Sequence, residues 1–271
     1  VAAWGSNYDG ELGTGSFDDS LVPVEVSNTP GISAITGKTV TSIAAGQWHS
    51  LALCSDGTVS GWGYNSDGEL GNNSTTESSL PVAVDRSGVL SGKTVVAIAA
   101  GCYHSLALCS DGTVVAWGDN TYGQLGNNST TGSSLPVAVN TSAGQSALAG
   151  KSVVAIAAGG YHSLAPCSDG TPGSWGYNGA GQLGENSPTQ RLVPVAVANS
   201  SGTTLYGRTV TRIQAGESHS LALCTDGTLL AWGWNGSGQL GDATTIQRLA
   251  PVVANTAALS AGERIVLTGA G

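Results

Sequence analysis

Residues 104–126 read HSLALCSDGTVVAWGDNTYGQLG, and the same pattern recurs along the chain at a nearly constant interval. Its Trp-Gly pair occurs five times, at spacings of 58, 55, 58 and 57 residues. A period above about 50 residues indicates units that stack or form a ring, because one unit alone cannot bury its apolar face. The repetition predicts a structural core role for the five tryptophans: Trp4, Trp62, Trp117, Trp175 and Trp232.

Each copy divides into four short segments with the composition of β-strands. One segment precedes the Trp-Gly pair, a second contains Pro and Val, a third alternates Val and Ile, and the fourth is His-Ser-Leu-Ala-Leu-Cys. The Asp-Gly-Thr that follows the fourth segment predicts a tight hairpin into the next Trp segment. No segment shows a helical apolar period. Four antiparallel strands per unit, joined by Gly-rich turns, are typical of β-propeller blades, so we predict an all-β fold.

The repeats predict a single array over residues 1–271. Val1 aligns with Val59 and Gly271 with Gly46, so the stretch equivalent to residues 47–58 is absent from the fifth copy. The chain is either part of a larger ring or a nearly complete five-bladed ring. The first alternative is favoured, because a ring that lacks one strand would expose unpaired edges. The predicted repeats are 1–58, 59–113, 114–171, 172–228 and an incomplete 229–271.

One copy departs from the pattern through two prolines. Pro166 replaces a Leu inside the His-Ser-Leu-Ala segment, and Pro172 replaces a Val or Leu of the Trp segment. Because proline has no N–H to donate to a neighbouring strand, we expect weaker strand pairing in this copy.

The composition narrows the range of functions. Charged residues are 10% of the chain, against roughly 25% in ordinary globular proteins. The net charge is −9, and the nine Lys and Arg residues form no cluster, so the basic footprint of a nucleic-acid-binding protein is missing. No apolar run reaches the length of about 18 residues that predicts a membrane span. Low Lys content, abundant small polar residues and the absence of Met favour an extracellular or cell-surface protein, with a cytoplasmic one as the alternative.

The combination of Trp-Gly-x-Asn-x-x-Gly-Gln-Leu-Gly with upstream His-Ser-Leu-Ala-Leu and Asp-Gly-Thr resembles the regulator of chromosome condensation (RCC-type) repeat. The resemblance covers the whole chain and implies a β-propeller, most often of seven blades, in which the Trp-Gly positions are structural. The family hosts unrelated activities, among them guanine nucleotide exchange on a small GTPase through an inserted hairpin wedge. The repeat spacings differ by three residues at most, so none contains a comparable extra hairpin.

Cysteine and histidine recur in register with the repeats. Four of the five cysteines end the His-Ser-Leu-Ala segment, where we expect buried, unpaired thiols; a metal site is the alternative. The four histidines begin the same segment, and we interpret them as structural residues that bond neighbouring backbone, with a metal ring in a central channel as the alternative. Each His precedes a Ser, but neighbours on a strand point to opposite faces and cannot meet as a catalytic pair. The histidines are His49, His104, His162 and His219.

Two turns carry paired acids, Asp9 with Glu11 and Asp67 with Glu69. Calcium prefers several oxygen ligands in such turns. The full loop pattern is missing, however, and other copies have neutral residues there. We therefore predict plain turns, with calcium as the alternative, and we expect no metal and no cofactor.

Aromatic residues that differ between copies are the candidate binding residues. Loops tolerate change and carry function, and Tyr and Trp combine an apolar ring with a polar group that suits interfaces. The alternative is that some of them only cover the seams between blades. Three lie just before the His segment and three just after the Trp-Gly pair: Trp48, Tyr103 and Tyr161, then Tyr64, Tyr177 and Trp234.

These observations predict a non-enzymatic interaction scaffold that binds another macromolecule, most plausibly a protein, through its rim loops. Nucleotide exchange on a small GTPase is the first alternative. The second is a structural or glycan-binding segment of a secreted bacterial repeat protein. The residues do not indicate an oligomeric state.

Overall fold

A computed structural model describes residues 1–257 and residue 265. Within this part of the chain all regular secondary structure is β-strand, in eighteen strands. The same residues contain no helix that is long and apolar enough to span a membrane. Contacts group the residues into two compact units. Unit 1 comprises residues 1–121 and 130–139, and unit 2 comprises residues 122–129 and the described residues from 140 onward.

Unit 1 contains one two-stranded and two four-stranded sheets, all antiparallel. In each sheet the strands lie in chain order, as expected when short turns join neighbours. The strands are β1 (Ala2–Gly5) and β2 (Ser20–Glu25); β3 (Val40–Ala45), β4 (His49–Cys54), β5 (Val59–Gly63) and β6 (Ser78–Ala83); then β7 (Val95–Ala100), β8 (His104–Cys109), β9 (Val114–Gly118) and β10 (Ser133–Ala138).

Unit 2 contains two four-stranded antiparallel sheets with the same strand order. The segments predicted as strands are therefore confirmed where the structure describes them, and the all-β prediction is correct for the described residues. The remainder of the fifth repeat, from residue 258, lies outside the described residues apart from residue 265. The strands are β11 (Ala157–Ala158), β12 (His162–Pro166), β13 (Pro172–Gly176) and β14 (Arg191–Ala196); then β15 (Val210–Ala215), β16 (His219–Cys224), β17 (Leu229–Gly233) and β18 (Arg248–Val253).

The Asp-Gly turn forms the predicted hairpin between the second and third strands of each four-stranded sheet. In the β3–β6 sheet, Gly57 has a φ of 76°, and its N–H donates to the carbonyl of Cys54 at 2.9 Å. Asp56 fixes the turn by accepting hydrogen bonds from both the amide and the hydroxyl of Thr58. This is the geometry for which Asx turns and a left-handed Gly are suited.

The strand register gives each sheet two distinct edges. His49 pairs with Gly63, which pairs in turn with Ser78, so residues 46–48 and 64–77 lie at one end of the strands. We call this end, in every sheet, the histidine edge. The Asp-Gly turns lie at the opposite end, which we call the Asp-Gly edge.

The core forms where neighbouring sheets of a unit pack face to face. In unit 1, Leu51 and Val59 of one sheet cluster with Ala107 and Trp117 of the next. In unit 2, Leu164 clusters in the same way with residues of the β15–β18 sheet. Burial of each large apolar side chain contributes about 1.5–3 kcal/mol, so these seams are the main stabilising feature of each unit.

Trp4 is the exception among the repeat tryptophans. Trp62, Trp117, Trp175 and Trp232 are at most 2% exposed, as predicted, whereas Trp4 is 63% exposed. The equivalent rings pack on the Gly-(Glu/Gln)-Leu-Gly turn of the preceding sheet, as Trp117 does on the turn at Glu69, and the described residues contain no such turn before β1. The assignment of Trp4 to the core is therefore wrong for this chain.

The copy with the two prolines shows the expected irregularity. β11 has two residues, where the equivalent strands of the other four-stranded sheets have six. Beyond it, pairing is reduced to an isolated bridge between Val153 and Cys167. The four in-register cysteines are buried and free, as predicted: Cys54, Cys109, Cys167 and Cys224.

Candidate interaction edge

A buried Asn holds the long loop at the histidine edge of each sheet. Asn65 is fully buried; its Oδ1 accepts a hydrogen bond from the amide of Leu70, and its Nδ2 donates to the carbonyls of Ser74 and Thr76 at 3.0 and 2.8 Å. The recurrence of Asn three positions after Trp is visible in the sequence, but its role as a loop clip is not. The same bonds to two loop carbonyls are made by Asn7, Asn178 and Asn235.

The next sheet fixes the Gly-(Glu/Gln)-Leu-Gly turn from the other side. Trp117 Nε1 and Ser105 Oγ both donate to the carbonyl of Glu69, at 2.6 and 2.9 Å. Because the buried Asn and the Trp and Ser of the neighbouring sheet hold the same loop, the backbone of the histidine edge is pre-organised. Equivalent pairs are Trp62 with Ser50, Trp175 with Ser163, and Trp232 with Ser220, on the carbonyls of Glu11, Gln124 and Gln182.

The histidines belong to this seam, with a partner that differs from the predicted one. His49 Nε2 lies 2.9 Å from the hydroxyl of Ser105 on the neighbouring sheet, and His162 Nε2 lies 2.9 Å from that of Ser220. The Ser105 hydroxyl donates to the carbonyl of Glu69, so the imidazole of His49 is the donor in its own bond. For His49 and His162 the predicted bond from His to backbone is wrong, because the hydroxyl lies between the ring and the carbonyl.

A His and a Ser therefore do meet, across the seam rather than within one strand. His49 is 1% exposed, and Ser105 is fully buried. Burial, followed by the charge of His104, lowers the pKa of His49 to about 3, and burial lowers that of His104 to about 4. The imidazoles are neutral at physiological pH, and the serine proton is held by a carbonyl. This geometry serves packing between sheets.

Four of the six candidate aromatic residues lie in two clusters. In unit 1, the rings of Tyr64 and Tyr103 meet edge to face, with centroids 6.1 Å apart. In unit 2, Tyr122 contacts Tyr161 at 5.3 Å and Tyr177 at 4.8 Å. All five rings are partly exposed at the histidine edge, which leaves surface for a partner to contact.

Tyr122 was not among the candidates chosen from the sequence. Its signal was its place just before a Gly-Gln-Leu-Gly turn, on the same edge as the candidates. The two remaining candidates also lie at this edge: Trp48 is half-buried and Trp234 is 46% exposed.

The acidic turns are closed by their own side chains. Glu69 Oε2 accepts a hydrogen bond from the amide of Asp67 at 3.0 Å, and Glu11 does the same for Asp9 at 2.9 Å. The amide oxygen of Gln182 makes the equivalent bond to Ala180, which explains why Glu and Gln exchange at this position. Among residues 1–257 and residue 265, no group of three His, Cys, Asp or Glu side chains is placed to hold a metal ion.

The chain was compared with known families and proteins. The sequence profile of the RCC1-like domain matches residues 1–270. The ultraviolet-B receptor UVR8 of Arabidopsis thaliana is 31% identical over 255 residues, which cover 93% of this chain and 53% of the receptor. The human probable E3 ubiquitin-protein ligase HERC6 is 34% identical over 254 residues, 93% of this chain and 23% of the ligase. The chain thus spans about half or less of these relatives.

Solved structures agree on the fold. Human WBSCR16 superposes with a TM-score of 0.82 at 26% identity, over 100% of this chain and 65% of that one. Prp20p of Saccharomyces cerevisiae superposes with a TM-score of 0.78 at 27% identity, over 99% and 61%. The four-stranded sheets are therefore blades of the β-propeller fold predicted from the repeats.

Proposed function

The chain belongs to the RCC1-like domain family, and from that membership and the geometry of the histidine edge we propose that it is a non-enzymatic platform that binds another protein. The observation that carries this proposal is the pair of tyrosine clusters, Tyr64 with Tyr103 and Tyr122 with Tyr161 and Tyr177, on loops held from both sides. Rigid aromatic side chains lose little conformational entropy on binding and are enriched among the residues that dominate binding energy.

Relatives support a protein partner in general terms. Yeast Prp20 has been solved bound to Kap60, and Prp20p is described as binding Gsp1p and histones. These partners belong to those proteins. For this chain they support only the class of partner, because the chain spans 61% of Prp20p.

The proposal is tested by site-directed cross-linking and affinity capture with single alanine variants. Tyr103→Ala and Tyr122→Ala should each weaken capture of the partner by about tenfold or more, which corresponds to at least ~1.4 kcal/mol for an interface aromatic. Tyr206→Ala is the matched control. It removes a tyrosine that is 58% exposed and lies in the loop before Arg208, at the Asp-Gly edge. Equal capture by all three variants would show that the histidine edge is not the binding surface.

Guanine nucleotide exchange stays the first alternative. In the described part of the chain every hairpin belongs to a blade, so no additional hairpin is present there to act as a wedge. Accelerated release of labelled nucleotide from a small GTPase would establish exchange and contradict a purely passive platform.

A glycan-binding segment of a secreted protein is the second alternative. Partly exposed tyrosines beside polar loops also suit sugar rings, so a glycan array is the direct comparison. Array binding that depends on Tyr122, without protein capture, would favour a glycan and with it the extracellular setting that the composition predicts.

A further inference from the structure

The charges of unit 1 are divided between its two edges. Its three basic side chains lie at the Asp-Gly edge: Lys38 pairs with Asp56, Lys93 pairs with Asp111, and Arg86 donates to the carbonyl of Lys93. At the histidine edge, its segments 6–19, 64–77, 119–121 and 130–132 contain no Lys or Arg. They carry eight acidic residues, at positions 9, 11, 18, 19, 67, 69, 77 and 119.

Unit 2 differs at the equivalent edge. There Glu185 pairs with Arg191, and Asp242 pairs with Arg248, and Glu217 is the one further acidic residue described at this edge. Negative charge is therefore concentrated at the histidine edge of unit 1, beyond the net charge of the whole chain.

The tyrosine pair of unit 1 lies within this acidic surface. Asp119 donates its backbone N–H to the carbonyl of Tyr103 at 2.8 Å, and its carboxylate accepts from Thr121 and lies close enough to Asp67 to raise the pKa of that side chain. Asp67 is three residues from Tyr64 in the same loop and is exposed. Two electron-rich rings and two carboxylates therefore share this edge, the combination that attracts a guanidinium or ammonium group through charge and cation–π interactions.

Glu69 gives an independent indication that a cation belongs here. Its side chain is fully buried, and its Oε1 has no hydrogen-bond partner. Burial, with a smaller contribution from the charges of Asp67 and Asp119, raises its pKa to about 8. One oxygen of this buried carboxyl is bonded to the amide of Asp67 and the other has no partner, and a positive charge that arrives at this edge favours its ionised form.

We propose that the histidine edge of unit 1 binds a Lys- or Arg-rich segment of a partner protein, with Asp67 and Asp119 as charge partners and the Tyr64–Tyr103 pair as the aromatic surface. This inference rests on the proposed function and specifies the chemistry of the partner. The absence of basic side chains from this edge makes it complementary to such a segment, and the unlike edge of unit 2 makes the site local.

The test uses fluorescein-labelled hexalysine and hexaarginine amides, with a hexaglutamine amide as the neutral probe. Anisotropy titrations are run at about 0.15 M ionic strength, where the Debye length of about 8 Å suppresses attraction to distant charges. Both basic probes should bind the unaltered chain, and the neutral probe should not. Asp67→Asn and Tyr103→Leu should each weaken binding by several-fold, and the double variant Asp67→Asn with Asp119→Asn by about tenfold.

The matched control is Asp85→Asn, which removes one carboxylate of unit 1 at the Asp-Gly edge. Asp85 bonds Ser87 and has no basic partner, so the change in net charge is the same as for Asp67→Asn. The control should bind hexalysine nearly as well as the unaltered chain. If Asp85→Asn weakens binding as much as Asp67→Asn, or if the unaltered chain binds neither basic probe, the inference is overturned. Thermal melting confirms that each variant is folded.

Failure here is distinguishable from failure of the proposed function. If no basic probe binds but capture of a protein still depends on Tyr103 or Tyr122, the proposed protein-binding function is supported and the basic partner is contradicted. If the probes bind at Asp67 and Asp119 but no protein is captured through the tyrosines, the acidic binding surface is supported and the proposed protein-binding function is contradicted.

Discussion

At the scale of single residues, the best-defined departure from the repeat is a backbone angle at one alanine. The second residue after each Gly-(Glu/Gln)-Leu-Gly turn has a positive φ: 61° at Asn73, 63° at Asn128, 65° at Asn186 and 90° at Gly15. Asn and Gly tolerate this left-handed region. The last copy has Ala243 there, with a φ of 61°. For a residue with an ordinary side chain this conformation is less stable by roughly 1 kcal/mol or more.

We therefore predict that Ala243→Asn stabilises the protein by about 1 kcal/mol, because Asn adopts the left-handed region at lower cost. The measurement is urea unfolding at equilibrium, which should show a higher midpoint with an unchanged slope. Thr245→Asn is the control, since it places the same residue at an exposed position outside the positive-φ set. A gain of equal size in the control would show that the backbone angle is not the cause.

At the scale of elements, the hairpins and the irregular blade were predictable because their causes are local. Asp-Gly fixes a turn through its own side chain and φ, and a proline removes its own N–H wherever it lies. The bond from His49 to Ser105 was not predictable, because it joins residues 56 positions apart on different sheets. Which side chains meet across a seam depends on the packing of the two sheets, which strand periodicity does not specify.

Pro166 gives a prediction for one strand. In the other complete sheets its position is Leu, paired with Ser42, Ala97 or Arg212 of the first strand. Pro166→Leu restores one ladder N–H, worth about 1 kcal/mol, and should extend β11 towards residue 155. Hydrogen exchange of residues 155–158 should slow. Leu53 and Leu108 are buried at the equivalent place, so the side chain has room in this architecture.

Pro188→Leu is the control for this change, since Pro188 is an exposed loop residue. It should leave exchange of residues 155–158 as it is. If Pro166→Leu also leaves that exchange unaltered while the protein remains folded, the shortness of β11 has a cause other than the missing N–H.

At the scale of the whole molecule, composition and placement carry different information. The net charge of −9 was enough to argue against nucleic acid, but it could not locate an acidic surface. That location depends on strand register, which brings segments 6–19, 64–77, 119–121 and 130–132 of unit 1 to the same edge of their sheets. Repetition likewise predicted buried tryptophans and missed Trp4, because burial depends on which strands surround a copy.

The buried histidines set the response of the molecule to acid. The folded-state pKa values of His49 and His104, about 3 and about 4, lie below the ordinary value of 6.5. The unfolded chain therefore binds protons first as the pH falls through 6.5, and stability decreases until the folded-state values are reached. Each histidine contributes on the order of 3 kcal/mol to this loss. Glu69, with its raised pKa, has the opposite effect and makes stability decrease as the pH rises from 4.5 to about 8.

We predict that His49→Gln reduces the loss of unfolding free energy between pH 6.5 and 5, because a neutral amide does not titrate and can still donate to Ser105. Urea unfolding at several pH values measures the slope, which should fall by up to one proton per histidine removed. His219→Gln is the graded comparison: that side chain is 8% exposed, and burial alone lowers its pKa, so its slope should change less. An unchanged slope in His49→Gln would mean that His49 binds its proton equally in the folded and unfolded chain, and the neutral, buried state of this imidazole would then be wrong.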